Sequence, residues 1–196
     1  MVWSDTHHMN LKAGHDREVL AVYPYRSACP KSVWAQLIAE ASADVFLCGY
    51  TNYFVWLEQP ALLQTLRRKA ESGCRIRFLL GDPGSETTRR RELIEDVALT
   101  VSTRIRVTLE NLGKLSDTEG VEARFSAEED GPNHVGLSVF RFDDHALVTP
   151  HLARAVGHDS PMMHFRRSEE NGMFDRFSEH AEELWSRGRD IRSDST

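Results

Sequence analysis

Short apolar runs alternate with stretches of helical periodicity through the first eighty residues, and this alternation constrains the fold more than any other feature. The run Val19–Tyr23 stops at Pro24, and Pro30 then stands where a helix begins, ahead of Val33, Trp34, Leu37, Ile38 and Ala41. Asp44 introduces a continuous apolar stretch over 45–51, suited to a strand buried on both faces. Pro60 opens a second helix with Leu62, Leu63, Leu66 and Ala70 on one side and Arg67, Arg68 and Glu71 on the other. Gly73 ends it, and Arg75–Leu80 supplies a third strand that breaks at Gly81-Asp82-Pro83-Gly84. The order β-α-β-α-β predicts an α/β fold, a mixed but mostly parallel sheet with helices on both faces.

Beyond residue 86 the pattern changes. Ile94, Ala98, Val101, Ile105, Leu109 and Leu112 form one apolar stripe, which predicts a long helix over 86–112. Val121–Phe125 alternates like a strand, the acidic stretch 128–132 reads as a solvated connection, and His134 is expected in the loop Gly131-Pro-Asn-His134. Residues 136–149 give two short apolar strands that meet at Asp143-Asp144, a strand-turn-strand unit. Met162–Arg166 follows as a strand, and Phe174, Phe177, Ala181, Leu184 and Trp185 form the apolar face of a closing helix. Residues 1–16 lack periodicity and read as a flexible leader, 17–187 as one domain, and 188–196 as a disordered tail.

Composition narrows the function. A net charge of -6 over 196 residues argues against direct nucleic-acid binding, which requires clustered cationic side chains. Only Lys12, Lys31, Lys69 and Lys114 are lysines, so arginine supplies most of the positive charge and planar recognition of a local anion stays open. Cys29, Cys48 and Cys74 show no C-x-x-C spacing and read as reduced core residues of a cytoplasmic protein. No stretch is long and apolar enough to suggest a membrane span, and no metal-ligand spacing or cofactor motif is present.

The C-terminal third resembles one half of a phospholipase-D-like fold, from the hairpin around Phe142-Asp143-Asp144 to the Phe174–Trp185 helix. More closely, the chain from about Val22 onward is similar to a domain of unknown function at the C-terminus of actinobacterial helix-turn-helix (XRE-type) regulators. The stretches that carry this are Val22-Tyr-Pro-Tyr-Arg-Ser27, Lys69-Ala-x-x-Gly-Cys-Arg-Ile-Arg77, Leu80-Gly-Asp-Pro83, Arg91-x-x-x-Glu95, Arg104-Ile-Arg106, Phe140-Arg-Phe-Asp-Asp144 and His164-Phe-Arg-Arg167. The resemblance implies a sensory or regulatory role and, because single-motif members of the fold pair to complete a site, a homodimer. No segment reads as a helix-turn-helix, so the chain is expected to be a free-standing sensory or effector domain.

A phospholipase-D motif places a histidine seven residues, and a lysine five residues, before its aspartate. Counting back from Asp143, those positions hold Gly136 and Ser138, which can be neither the imidazole nucleophile nor the phosphate-holding ammonium. The leading expectation is therefore a catalytically silent domain that binds a small polar or anionic ligand. In open sheets the ligand crevice lies outside the strands' carboxyl ends, which points to residues 50–53 and 81–83. The expected binding residues are Asp82, Arg91, Glu95 and Arg106, with Arg166 from the last strand. A plain surface ion pair explains Arg91 and Glu95 equally well. The alternatives are an enzyme of phosphoryl transfer with a rearranged site at His134, His164 and Asp82, and a protein-interaction module. His145 and His151 bracket one strand and are candidates to approach each other.

Overall fold

A computed structural model describes residues 17–153 and 156–191, so the expected leader lies outside the described residues. The strands are β1 (Val19–Tyr23), β2 (Asp44–Cys48), β3 (Arg75–Leu80), β4 (Val121–Phe125), β5 (Leu137–Phe142), β6 (His145–Pro150), β7 (Met162–Arg166) and β8 (Arg189–Asp190). They form one sheet in the order β1-β7-β6-β5-β2-β3-β4-β8. The α/β class is as expected, but parallel pairing does not predominate. Only β2–β3 and β3–β4 are parallel, and the other pairings are antiparallel. The two-residue turn Asp143-Asp144 forces β5 and β6 to run oppositely. β7 then runs back along β6, and β1 lies at the outer edge against β7 instead of beside β2.

Helices cover both faces. α1 (Lys31–Glu40), α2 (Tyr53–Glu58), α3 (Leu62–Glu71), α4 (Glu86–Glu95), α5 (Val101–Gly113) and α6 (Gly131–Gly136) precede the hairpin, and α7 (Met173–Arg187) follows β7. Trp34, Leu66 and Ile105 pack on one side of the sheet against Leu47, Ile76, Phe78, Phe140 and Phe142. On the other side Phe174, Ala181, Leu184 and Trp185 of α7 meet Phe46, Leu79, Val139, Val148 and Phe165. Successive residues such as Phe46 and Leu47 serve opposite cores, as the strand period of two demands.

Several local expectations need correction. The stripe over 86–112 is split into α4 and α5, because Asp96 turns left-handed with φ 45° and the Thr100 side chain caps a new start by accepting from the Thr103 N–H. The apolar run after Asp44 stops being strand at Cys48, and Tyr53–Glu58 is helical. The acidic stretch 128–132 is no solvated loop: Asp130 is buried, bound by Arg187 at 2.7 and 3.0 Å, and Gly131 begins α6. Arg189–Asp190 of the expected tail pairs with β4, while residues 192–196 lie outside the described residues.

Two charged clusters tie the ends of the chain to the sheet. Glu18 is fully buried just before β1, and its carboxylate accepts from the Ser168 N–H at 3.0 Å and from the Phe174 N–H at 2.7 Å, in the first turn of α7. Gly172 leaves room for it, since a Cβ there would lie 2.4 Å from a Glu18 carboxylate oxygen. Under α7, Arg77 donates to both oxygens of Glu182 at 2.6 and 2.7 Å and lies over the Phe46 ring. Arg141 bridges the same glutamate at 2.6 Å to Asp44 at 2.9 Å.

Candidate functional site

The parallel strands β2 and β3 end on the same edge of the sheet, and there the chain must turn away and leave a crevice. After β2 it passes through Asn52, left-handed with φ 49°, into α2. Asn52 is buried and its amide donates to the carbonyls of Leu47 and Leu79, which fixes how α2 leaves the sheet. Because β5 is antiparallel to β2, its first residues reach this edge too, as does the segment after β6. The result is a cleft of about 480 Å³ bounded by α2, α4, α5, the start of β5 and the segments around Arg26 and His151.

Polar groups converge on its inner end. The Arg26 guanidinium stacks on the Phe54 ring at 3.7 Å, and no carboxylate among the described residues stands within ion-pair distance of it. Burial lowers its pKa to about 10, Glu58 opposes the fall and Arg104 adds to it, so it remains a cation at neutral pH. His151 Nε2 lies 2.8 Å from Ser138 Oγ. Burial first, then the charges of Arg26, Arg91 and Arg104, lower the His151 pKa to about 4, and its ring is neutral at physiological pH. Gly157 fits between these groups: a Cβ there would lie 3.0 Å from His151 Cε1 and 3.2 Å from Arg26 Nη1.

Of the expected site residues, the structure brings Arg91 and Glu95 into this cleft. Their pairing is not a surface one. Arg91 Nε donates to Glu95 at 2.8 Å with side chains only 9% and 6% exposed, and Arg104 of α5 binds the same carboxylate. The other three do not join them. Arg106 is exposed and outside the cleft, because two residues along a helix turn a side chain about 200° from Arg104. Asp82 pairs with Arg189 and borders a separate, mainly apolar groove lined by Leu109, Leu112, Val121, Phe125 and Ile191. Arg166 lies at the far end of the sheet with Asp144, at 3.1 Å, because β7 runs antiparallel to β6.

The histidines also disperse. His134 is completely buried in α6, its ring edge-on to Tyr50 and its Nδ1 3.0 Å from Ser126 Oγ. Ser126 Oγ also lies 3.4 Å from the Leu80 carbonyl, so the hydroxyl stands between that carbonyl and the His134 ring. Burial, with His151 and His180 nearby, lowers the His134 pKa to about 3. His164 contacts His145, with Nε2 and Nδ1 2.9 Å apart, at the end of the sheet away from the cleft. The expected approach of His145 to His151 does not occur, because β6 separates them along its full length. No group of three His, Cys, Asp or Glu residues among those described is placed to hold a metal ion. Among the described residues no helix is long and apolar enough to cross a membrane.

The hairpin-turn aspartate has a structural use. Asp143, left-handed with φ 49°, accepts from the backbone N–H groups of Ser42, Ala43 and Asp44 at 2.7, 2.9 and 2.8 Å. Burial opposes its ionisation, but those three backbone hydrogen bonds outweigh it and hold the carboxyl below its ordinary value. Sequence reasoning missed Arg26, Arg104, Ser138 and His151 as cleft residues. Arg26 and Arg104 do stand inside the stretches that carry the family resemblance, which was the available signal.

Comparison with known proteins agrees with this fold. TrmBL2, an archaeal chromatin protein, superposes with a TM-score of 0.54 at 12% identity, over 95% of this chain and 61% of its own length. Nuc from Salmonella typhimurium, a phospholipase D family member, gives 0.53 at 12% identity over 87% of this chain and 97% of its own. NucT from Helicobacter pylori gives 0.52 at 8% identity over 87% and 98%. Among curated proteins none matches the sequence significantly. The fold is thus phospholipase-D-like, and the sequence of residues 17–192 fits one family profile. The chain belongs to the family of the domain of unknown function DUF5919.

Proposed function

We propose that this domain is a catalytically silent member of the phospholipase-D-like fold that binds a small anion in the cleft around Arg26. The single observation that carries the reading is the Arg26 guanidinium, stacked on Phe54 and facing the cleft with no carboxylate in ion-pair distance among the described residues. A desolvated cation without a counter-ion is costly, and an anionic ligand relieves that cost. Ser138 and His151 add hydrogen-bonding groups beside it. Silence is supported by two features: Gly136 and Ser138 stand where the motif histidine and lysine are expected, and His151, with a pKa near 4, is a weak base at neutral pH. His134 has its Nδ1 engaged with Ser126 Oγ and is sealed from solvent.

The role is sensory or regulatory, in keeping with the resemblance to regulator-linked domains, and the protein acts in the cytoplasm as a homodimer without touching nucleic acid itself. The net charge of -6 supports the last point, and mass measurement at tens of micromolar tests the dimer. The principal test is thermal denaturation with inorganic phosphate, sulfate and acetate. A ligand at 100 times its Kd adds about 2.7 kcal/mol, which raises the Tm of the wild type by several degrees. Arg26→Ala is expected to abolish that rise. An equal rise in the variant refutes the site, and hydrolysis of bis(p-nitrophenyl) phosphate that His151→Ala removes refutes the silence.

A further inference from the structure

The cleft has two chemically distinct ends. Its inner end holds Arg26, Ser138 and His151, whereas Leu57, Val97, Leu99, Val135 and Val156 form much of its remaining wall. Three of these are strongly exposed for aliphatic side chains: Leu57 at 61%, Val97 at 40% and Leu99 at 39%. They come from α2 and from the link between α4 and α5, both of which line this cleft. Exposed aliphatic groups that converge on a concavity are unlike those scattered singly over a surface, and they mark a place where an apolar group is covered. The charges of the lining also count. Arg26, Arg91 and Arg104 face Glu58 and Glu95, which leaves one positive charge in excess, and Glu95 already neutralises much of Arg91 and Arg104.

The geometry points to a singly charged amphiphile as the ligand: one anionic head between Arg26, His151 and Ser138, and a planar or aliphatic body against Leu57, Val97 and Leu99. This rests on the anion-binding reading and goes further, since it excludes bare inorganic anions and multiply charged ones as the preferred ligands. A second negative charge would meet Glu58 or Glu95 with no free cation to offset it, and a head alone would leave the aliphatic wall wet.

Calorimetric titration of the full chain with four probes tests it: naphthalene-1-sulfonate, naphthalene-1,5-disulfonate, methanesulfonate and 1-naphthol. The monosulfonate is expected to bind one per chain, at least about tenfold more tightly than each of the others, a modest figure for burying one aromatic body. Leu57→Asn, a neutral change at an exposed position where folding is not at stake, is expected to weaken the monosulfonate about tenfold while methanesulfonate, which has no body to reach it, binds as before. Arg26→Gln is expected to bring the monosulfonate down to the affinity of 1-naphthol, with circular dichroism confirming the fold. If methanesulfonate binds as tightly as the naphthyl compound, the amphiphile is overturned while anion binding stands. If the disulfonate binds best, the single-charge argument fails. If 1-naphthol matches the monosulfonate and Arg26→Gln changes nothing, both readings fall together.

Discussion

Asp143 shows how one turn carboxylate can organise the start of a neighbouring strand. It gathers three consecutive backbone N–H groups at the start of β2, those of Ser42, Ala43 and Asp44. Those donors belong to the residues before a strand that is otherwise wholly buried, so the carboxylate sets the register at which β2 enters the sheet. Asp143→Ala removes the acceptor and also places a β-carbon residue without a local partner in the left-handed region. A loss of about 2 kcal/mol is expected, from the capping and backbone terms together. Urea denaturation measures it. Asp143→Asn, which keeps one acceptor oxygen and tolerates the left-handed conformation, is expected to recover about half. Equal stability of all three proteins would remove this role.

At the scale of elements, the clasp between Glu18 and α7 stands out because it joins the first strand to the last long helix. A carboxylate at a helix N-terminus meets both unsatisfied N–H groups and the positive end of the helix dipole. Since Glu18 is fully buried, its loss also strands the Ser168 and Phe174 donors. Glu18→Ala is expected to cost about 3 kcal/mol, with the loss of amide-exchange protection greatest in α7 and β1. Uniform loss of protection across the sheet would contradict a local clasp. Gly172→Ala is expected to act on the same contact by collision, because its Cβ would overlap the carboxylate.

How much of the elements was legible follows from the range of the signals involved. Strand runs and the amphipathic faces of α1, α3 and α7 are local patterns, and each lies where the residues put it. The stripe over 86–112 misled because Ile94 and Val101 keep helical spacing across a break that only Asp96 and the Thr100 cap disclose. Partner choice was least legible. Nothing local in Val19–Tyr23 tells whether it pairs with its neighbour in sequence or with Met162–Arg166. The site inherited that error: Arg166 was assigned to the crevice on a parallel sheet, and reversing β7 sends it to the opposite end. Arg91 and Glu95 were expected from the stretches that carry the family resemblance, and they lie together because their i,i+4 spacing fixes a common helix face whatever the sheet does.

For the whole molecule, buried neutral histidines make acid a distinct stress. His134, with a folded pKa near 3, and His164, near 4, both start from an ordinary value of 6.5, lowered by burial in each case and by neighbouring histidine charge. The unfolded chain therefore binds protons that the folded chain refuses. Stability from these groups is complete above about pH 6.5 and is lost as pH falls through the window down to about 3. Glu182 extends the loss lower: although burial opposes its ionisation, Arg77 and Arg141 outweigh that and hold its pKa near 2, so its contribution disappears only as pH drops below 4.5. Tm measured from pH 8 to pH 4 is expected to stay level down to about 6.5 and then decline steadily, before most carboxylates titrate. A Tm that stays level down to pH 4.5 would show that these rings are not held neutral in the fold.

The sheet order also has a consequence for synthesis. β1 is made before the other strands, but Val19 finds its partner in Phe165, and the Glu18 carboxylate accepts from the N–H groups of Ser168 and Phe174. At roughly 5–20 residues per second, the ribosome takes on the order of ten to thirty seconds to supply that partner. Throughout that interval Val19, Leu20 and Val22, which stay partly exposed even in the finished fold, form an unpaired apolar strand edge. The first strand of the sheet to be made thus waits for β7, and a nascent chain halted before β7 carries a segment suited to chaperone capture.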